Sequence, residues 1–164
     1  MIASISDVNK DKIFGIMQLQ ASYANCIDED RLEEWPAYFL EKCNYMVTNA
    51  ENYAAHMEAG VIWADSRAML ADRVSALREA NIYESHSYRH ILGIPQVRRL
   101  SESGGIHTET TFTVIRVTNG AQTELFATGK YVDLIEYADE QPMFSQRLVV
   151  CDSNTIDTLI AFPI

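Results

Sequence analysis

ESHSYRHILGIP, Glu84–Pro95, stands where the sequence changes its period. Upstream, SRAMLADRVSALREAN (Ser66–Asn81) spaces Met69, Leu70, Val74 and Leu77 as one helical stripe. Its other face carries Arg67, Asp72, Arg73, Arg78 and Glu79, Ser66 is a natural N-cap, and Asn81 suits the C-terminal end. Downstream, SYRHILGIPQVRRL, GIHTETTFTVIRVT, TELFATGKYVDLIEY and PMFSQRLVVCDS each alternate with period two and predict four strands. SESGGI, TNGAQ and ADEQP lie between them with turn chemistry, so the strands form an antiparallel meander.

The first third completes the architecture. Ile13, Ile16, Met17, Leu19, Tyr23, Ala24 and Ile27 line one face of a helix over Lys10–Asp28. In DEDRLEEWPAYF, Asp30 is placed to cap a short helix starting near Arg31, with Pro36 in an early turn. CNYMVTNA reads as a strand with Tyr45 and Val47 on one face, and ENYAAHMEAG is ambiguous. Helices first and a meander afterwards predict an α+β fold: N-terminal helices packed on a strongly curved antiparallel sheet, closing a cone.

Length and composition limit the function. The 164 residues suit one domain, 1–164, able to fold without a disulfide or metal. No apolar run approaches a membrane span, and the N-terminus lacks the pattern of a signal peptide. Cys26, Cys43 and Cys151 are three widely spaced cysteines in apolar settings, which reads as buried reduced thiols and a cytoplasmic location. A net charge of -10 disfavours nucleic acid and anionic membranes.

His86 and His90 stand four apart. On a helix they would share a face and could hold one ion. On a strand the same spacing separates them by roughly 13 Å, at ~3.3 Å per residue. The alternation of SYRHILGIP favours the strand, hence no metal site here. A cofactor-free acid/base pocket is a second reading, with Tyr23, Asp28, Tyr45 and His90 as candidates inside the cone. The ordinary alternative is that the tyrosines are core aromatics with satisfied hydroxyls. There is no Gly-rich phosphate loop, nucleophile elbow or Cys-x-x-Cys pair, and no cysteine–histidine set for a Rieske cluster. Trp35, Trp63, Tyr83, Tyr88, Arg67, Arg73, Arg89 and Arg98 are residue types enriched at protein interfaces.

YANCIDEDRLEEWPAYF (Tyr23–Phe39), VIWADSRAMLADRVSALREANIYESHSYRHILGIP (Val61–Pro95) and VVCDSNTIDTLIAFPI (Val149–Ile164) carry a resemblance across nearly the whole chain. They resemble the small (β) subunits of aromatic-ring-hydroxylating dioxygenases, and DSRAMLADRV…YRHILG is the most specific block. The resemblance implies an NTF2-like or cystatin-like cone and no catalytic, cofactor-binding or metal residue in this chain. It implies a large (α) subunit as partner, holding the Rieske [2Fe-2S] cluster, the mononuclear non-haem Fe(II) and the substrate. It further implies a heterohexamer of three α and three β, with β-β contacts and a reductase acting through α. Trp63, Arg67, Tyr83, Tyr88, Arg89 and His90 are then the candidate subunit interface. The rival is a stand-alone dehydratase or isomerase of the same cone, using Tyr23, Asp28 and His90. Which of Tyr88, Arg89 and His90 turns inward is left open by the pattern alone.

Overall fold

The computed structural model describes residues 8–80, 86–118, 122–154 and 162–164. Helix α1 spans Lys10–Asp28 and starts at Asn9, whose side chain accepts from the Lys12 amide at 2.8 Å. A 3-10 turn over Trp35–Tyr38 leads into β1, Phe39–Asn49. A short helix α2, Ala50–Ala54, and strand β2, Ile62–Ser66, follow. Helix α3 covers Arg67–Ala80. The remaining strands are β3 (His86–Leu92), β4 (Gln96–Leu100), β5 (Ile106–Thr118), β6 (Gln122–Ala138) and β7 (Gln141–Cys151).

The sheet runs β2-β1-β7-β6-β5-β3, with β4 also paired to β5. Three sequence expectations change. SYRHILGIPQVRRL is two strands, because it breaks at Gly93–Pro95 and both halves return to β5. At Gly93 a Cβ would stand 2.2 Å from the Thr111 hydroxyl, so any larger residue would require the Thr111 side chain to move. The sheet is not wholly antiparallel: the strands from His86 onward pair antiparallel as expected, and β1 joins β7 in parallel. Asp30 does not cap a helix at Arg31; it has φ 56°, and the turn starts at Trp35 with Pro36 at its head. A proline fits that position because its missing N–H has no helical partner to serve.

Other expectations hold. Ser66 Oγ accepts from the Met69 amide at 3.3 Å, and in the α3 stripe Leu70 and Val74 are buried and Leu77 is partly buried, while Met69 is exposed. Asn81 lies outside the described residues. β6 and β7 meet at Asp139–Glu140, both at positive φ, the conformation of a two-residue hairpin turn.

α1 packs against β3 and β7, and α3 against β1 and β2. Between α1 and the sheet lies an aromatic core: Tyr23, Trp35, Phe39, Tyr45, Phe112, Tyr131 and Phe144, all buried. Their rings meet mostly edge-on, as between Tyr23 and Phe144 (5.6 Å, 81°) and between Trp35 and Tyr45 (5.1 Å, 84°). The helices over the curved sheet therefore make the expected cone, and its interior is packed with rings.

Candidate functional site

Two polar clusters sit within this apolar interior. The deeper one joins β6, β7 and α1. Asp133 and Arg147 are paired in the β6–β7 register, and both side chains are fully buried. Arg147 grips the carboxylate with Nε to Oδ1 at 2.9 Å and Nη2 to Oδ2 at 2.8 Å. Gln20 of α1 donates to Asp133 Oδ2 at 2.7 Å and accepts from Arg147 Nη2. The guanidinium also lies 3.9–4.1 Å from the ring centroids of Tyr23, Tyr131 and Phe144. Burial pulls the Arg147 pKa down, but the Asp133 charge and hydrogen bonds more than offset this and leave it raised. This cluster was not singled out from sequence. Its signal was available: Asp133 interrupts the inward face Tyr131–Ile135, and Arg147 lies opposite it.

The second cluster is the Asp28–His90 pair. Asp28 ends α1, where the helix dipole disfavours an acid. β3 supplies the compensation. The His90 backbone amide donates to Asp28 Oδ2 at 2.8 Å, and the ring Nδ1 meets Oδ1 at 2.6 Å. A carboxylate facing Nδ1 places the proton on that nitrogen. The side chains are 0% and 2% exposed, and Nε2 of His90 finds no partner among the described residues. The pairing matches the orientation a histidine base receives from an acid. Its immediate structural effect is to fasten the end of α1 to the sheet.

The candidate residues Tyr23 and Tyr45 are brought together on one acceptor. Their hydroxyls donate to the Ile164 carbonyl at 3.0 and 3.1 Å. Burial pushes the Tyr23 pKa up, against the pull of the Arg147 charge, and pushes that of Tyr45 well up. Ile164 and Phe162 are both buried, so the described end of the chain is tucked into the cone. Phe162 lies 4.7 Å from the His86 ring and 5.9 Å from Tyr88, which itself stacks on Phe126.

β3 answers the question left open by its sequence. His86, Tyr88 and His90 share the inward face, while Ser87, Arg89 and Ile91 are exposed. The two histidines are therefore spaced as on a strand. Among the described residues no three His, Cys, Asp or Glu side chains are grouped to hold a metal. Cys26, Cys43 and Cys151 are free, buried and carried by α1, β1 and β7. That donor set fits neither a Rieske cluster nor a two-histidine-one-carboxylate iron.

The six interface candidates separate. Trp63 is 53% exposed on β2, an edge of the sheet, and Arg89 is exposed on β3, at the opposite end of the strand order. Arg67 is half-buried, with Nε donating to the Phe39 carbonyl at 2.8 Å. Tyr88 and His90 are buried within the chain, because strand alternation turns them towards the rings. Tyr83 lies outside the described residues.

Comparison with known proteins agrees across the chain. The profile of the ring hydroxylating beta subunit family matches residues 23–158. Terephthalate 1,2-dioxygenase terminal oxygenase component subunit beta 1 of a Comamonas species is 45% identical, over 91% of this chain and 96% of that protein. The anthranilate 1,2-dioxygenase small subunit of Burkholderia cepacia is 35% identical, over 92% and 93%. A crystal structure from Novosphingobium aromaticivorans, assigned as the beta subunit of an aromatic-ring-hydroxylating dioxygenase, superposes with TM-score 0.86 at 34% identity. It covers 94% of this chain and 98% of its own.

Proposed function

This chain belongs to the ring hydroxylating beta subunit family, and on that premise we propose that it is the non-catalytic subunit of a terephthalate 1,2-dioxygenase. A beta subunit of a multi-subunit dioxygenase has an α subunit as partner, and the pair belongs to an oxidoreductase complex. The reaction is cis-dihydroxylation of an aromatic carboxylate with O2 and NAD(P)H. The partner α subunit holds the Rieske [2Fe-2S] cluster and the Fe(II), and a reductase acts through it. Residues 1–164 form one domain, and three α with three β make a cytoplasmic heterohexamer.

The observation that carries this reading is the filled cone. Tyr23 and Tyr45 are satisfied by Ile164, and the Asp28–His90 pair is buried. The residues that could have formed an acid/base site are engaged in holding the fold. No helix among the described residues is long and apolar enough to cross a membrane.

Trp63 and Arg89 are the contacts we assign to assembly. They stand at opposite ends of the strand order, which suits a head-to-tail β-β contact that closes into a ring. The 35% relative makes an anthranilate-type complex the alternative substrate assignment, with salicylate or benzoate types beside it. The stand-alone dehydratase or isomerase is favoured only by the Asp28–His90 pair.

Co-expression with a Rieske-bearing large subunit tests the proposal. The two chains should co-purify, and a screen over phthalates, benzoates, salicylate and anthranilate should show turnover with terephthalate. A chain that stays separate from that subunit contradicts it. Preferred turnover of anthranilate would retain the role and move the substrate.

A further inference from the structure

The ring core lies on one side of the sheet, and a groove lies on the other. On β1, Tyr45 and Val47 point into the cone, so strand alternation turns Asn44 and Met46 outward. There they help to line a groove of about 700 Å³, with Tyr53 of α2 and Met57 just beyond it as one wall. Its floor is an apolar row across three strands. Trp63 faces Met46 in the β1–β2 register, and Met46 faces Leu148 in the β1–β7 register. Trp63 and Met57 are both more than half exposed. Glu58 lines the groove, and Asp65 follows Trp63 on the same side of β2; both acids are exposed and in no ion pair among the described residues. No lysine or arginine lines it. The groove is therefore apolar in its floor and acidic at its rim.

The opposite end of the strand order carries the complement. On β3, Arg89 and Ile91 face away from the core, and Ile94 follows in the bend before β4. Ile94 is 74% exposed, the most of any large hydrophobic side chain among the described residues. Arg31, Arg78, Arg98 and Arg116 each hold an acid, whereas Arg89 is in no ion pair among the described residues. We propose that Ile91 and Ile94 of one copy of this chain seat in the Trp63 groove of the next, with Arg89 against Glu58 and Asp65 at the rim. This deepens the head-to-tail contact assigned above to Trp63 and Arg89, and it rests on that reading. Charge complementarity selects a second copy as the occupant. The groove calls for an apolar group beside a cation, and the β3 end supplies both. Groove and knob are different patches at opposite ends of one sheet, so an open chain of copies leaves a half unfilled at each end. Closure into a ring fills every half.

Two damaged copies test this together. Ile94→Glu spoils the knob and Trp63→Glu spoils the groove, both at exposed positions, and circular dichroism checks that each chain folds. By analytical ultracentrifugation the intact chain should form a closed oligomer larger than a dimer. Each variant alone should lose at least about tenfold in self-association. An equimolar mixture should form a heterodimer and nothing larger, because the sound groove of the Ile94→Glu chain takes the sound knob of the Trp63→Glu chain. If either variant fails to fold, Arg89→Glu and Met57→Glu take their places with the same expectations. An intact chain that is monomeric at the highest concentration it tolerates would overturn the proposal. So would a folded single variant that associates like the intact chain, or a mixture of folded variants that stays monomeric. Binding of the intact chain to the Rieske-bearing large subunit is measured separately. A heterodimer without large-subunit binding supports the contact and counts against the dioxygenase role. Large-subunit binding without a heterodimer overturns the contact alone.

Discussion

Arg147→Met removes the charge that balances Asp133 while keeping an unbranched apolar stem among the rings. Both side chains are fully buried, and Arg147 supplies two of the three hydrogen bonds described for the Asp133 carboxylate. The remaining one comes from Gln20 at 2.7 Å, and Gln20 itself loses the guanidinium it accepts from. Breaking a buried pair from one side costs about 3–5 kcal/mol, because the remaining charge is stranded without its partner. That is a large part of the ~5–15 kcal/mol that holds an ordinary domain together. At a urea dependence of about 2 kcal/mol per molar, the unfolding midpoint should fall by about 1.5–2.5 M. The assay is urea unfolding followed by far-UV circular dichroism. A second variant, Arg147→Met with Asp133→Leu, removes both charges and should recover most of the loss. A single variant that loses less than about 1 kcal/mol would refute this account of the core. So would a double variant no more stable than the single one.

Further outcomes follow from the same geometry. Asp28→Ala strips two hydrogen bonds to the carboxylate, one from an amide and one from a ring nitrogen, and should cost about 2–4 kcal/mol in urea unfolding. If assembly survives, turnover of the complex should be unchanged, and a selective loss of turnover would favour the acid/base reading. Trp63→Ala and Arg89→Ala should leave stability within about 0.5 kcal/mol, since both residues are exposed, and should weaken assembly in size-exclusion chromatography. Burial pushes the thiols of Cys26 and Cys151 up to about 11. The folded state thus holds these protons more tightly than the unfolded chain does. Their contribution to stability is complete below about pH 9 and should be lost as the pH rises towards 11. Urea midpoints measured across that range check the sign, and a midpoint rising with pH would contradict it.

How far the fold was legible in the sequence depends on what each element leaves in one-dimensional pattern. α1 and α3 were visible because each buries one stripe and begins at a polar cap, Asn9 or Ser66. β5 to β7 were visible because each alternates between ring-facing and outward residues. β2 was missed because its five residues are too few to show a period before α3 begins. The parallel β1–β7 pairing joins segments some hundred positions apart, for which no local pattern exists. The break at Gly93 needed the facing Thr111, also a distant residue.

The candidate site was partly legible. Tyr23, Asp28, Tyr45 and His90 were selected as polar residues of the right types, and the fold makes two pairs of them. Tyr23 shares Ile164 with Tyr45, and Asp28 binds His90. What the sequence could not supply is that Ile164 completes the first pair. Tyr88, Arg89 and His90 are interface candidates from their place in the family motif, and strand alternation, which needs the partner strand to fix it, turns Tyr88 and His90 inward and leaves Arg89 exposed.

The central claim is that the chemistry belongs to another polypeptide. The most direct measurement is metal analysis with electron paramagnetic resonance and oxygen-uptake assays on the chain purified alone, cooperatively folded by circular dichroism. The account predicts no bound iron, no Rieske signal after reduction and no oxygen consumption with terephthalate, with turnover appearing only once the large subunit is added. Stoichiometric iron or terephthalate-dependent oxygen uptake in the isolated folded chain would contradict it.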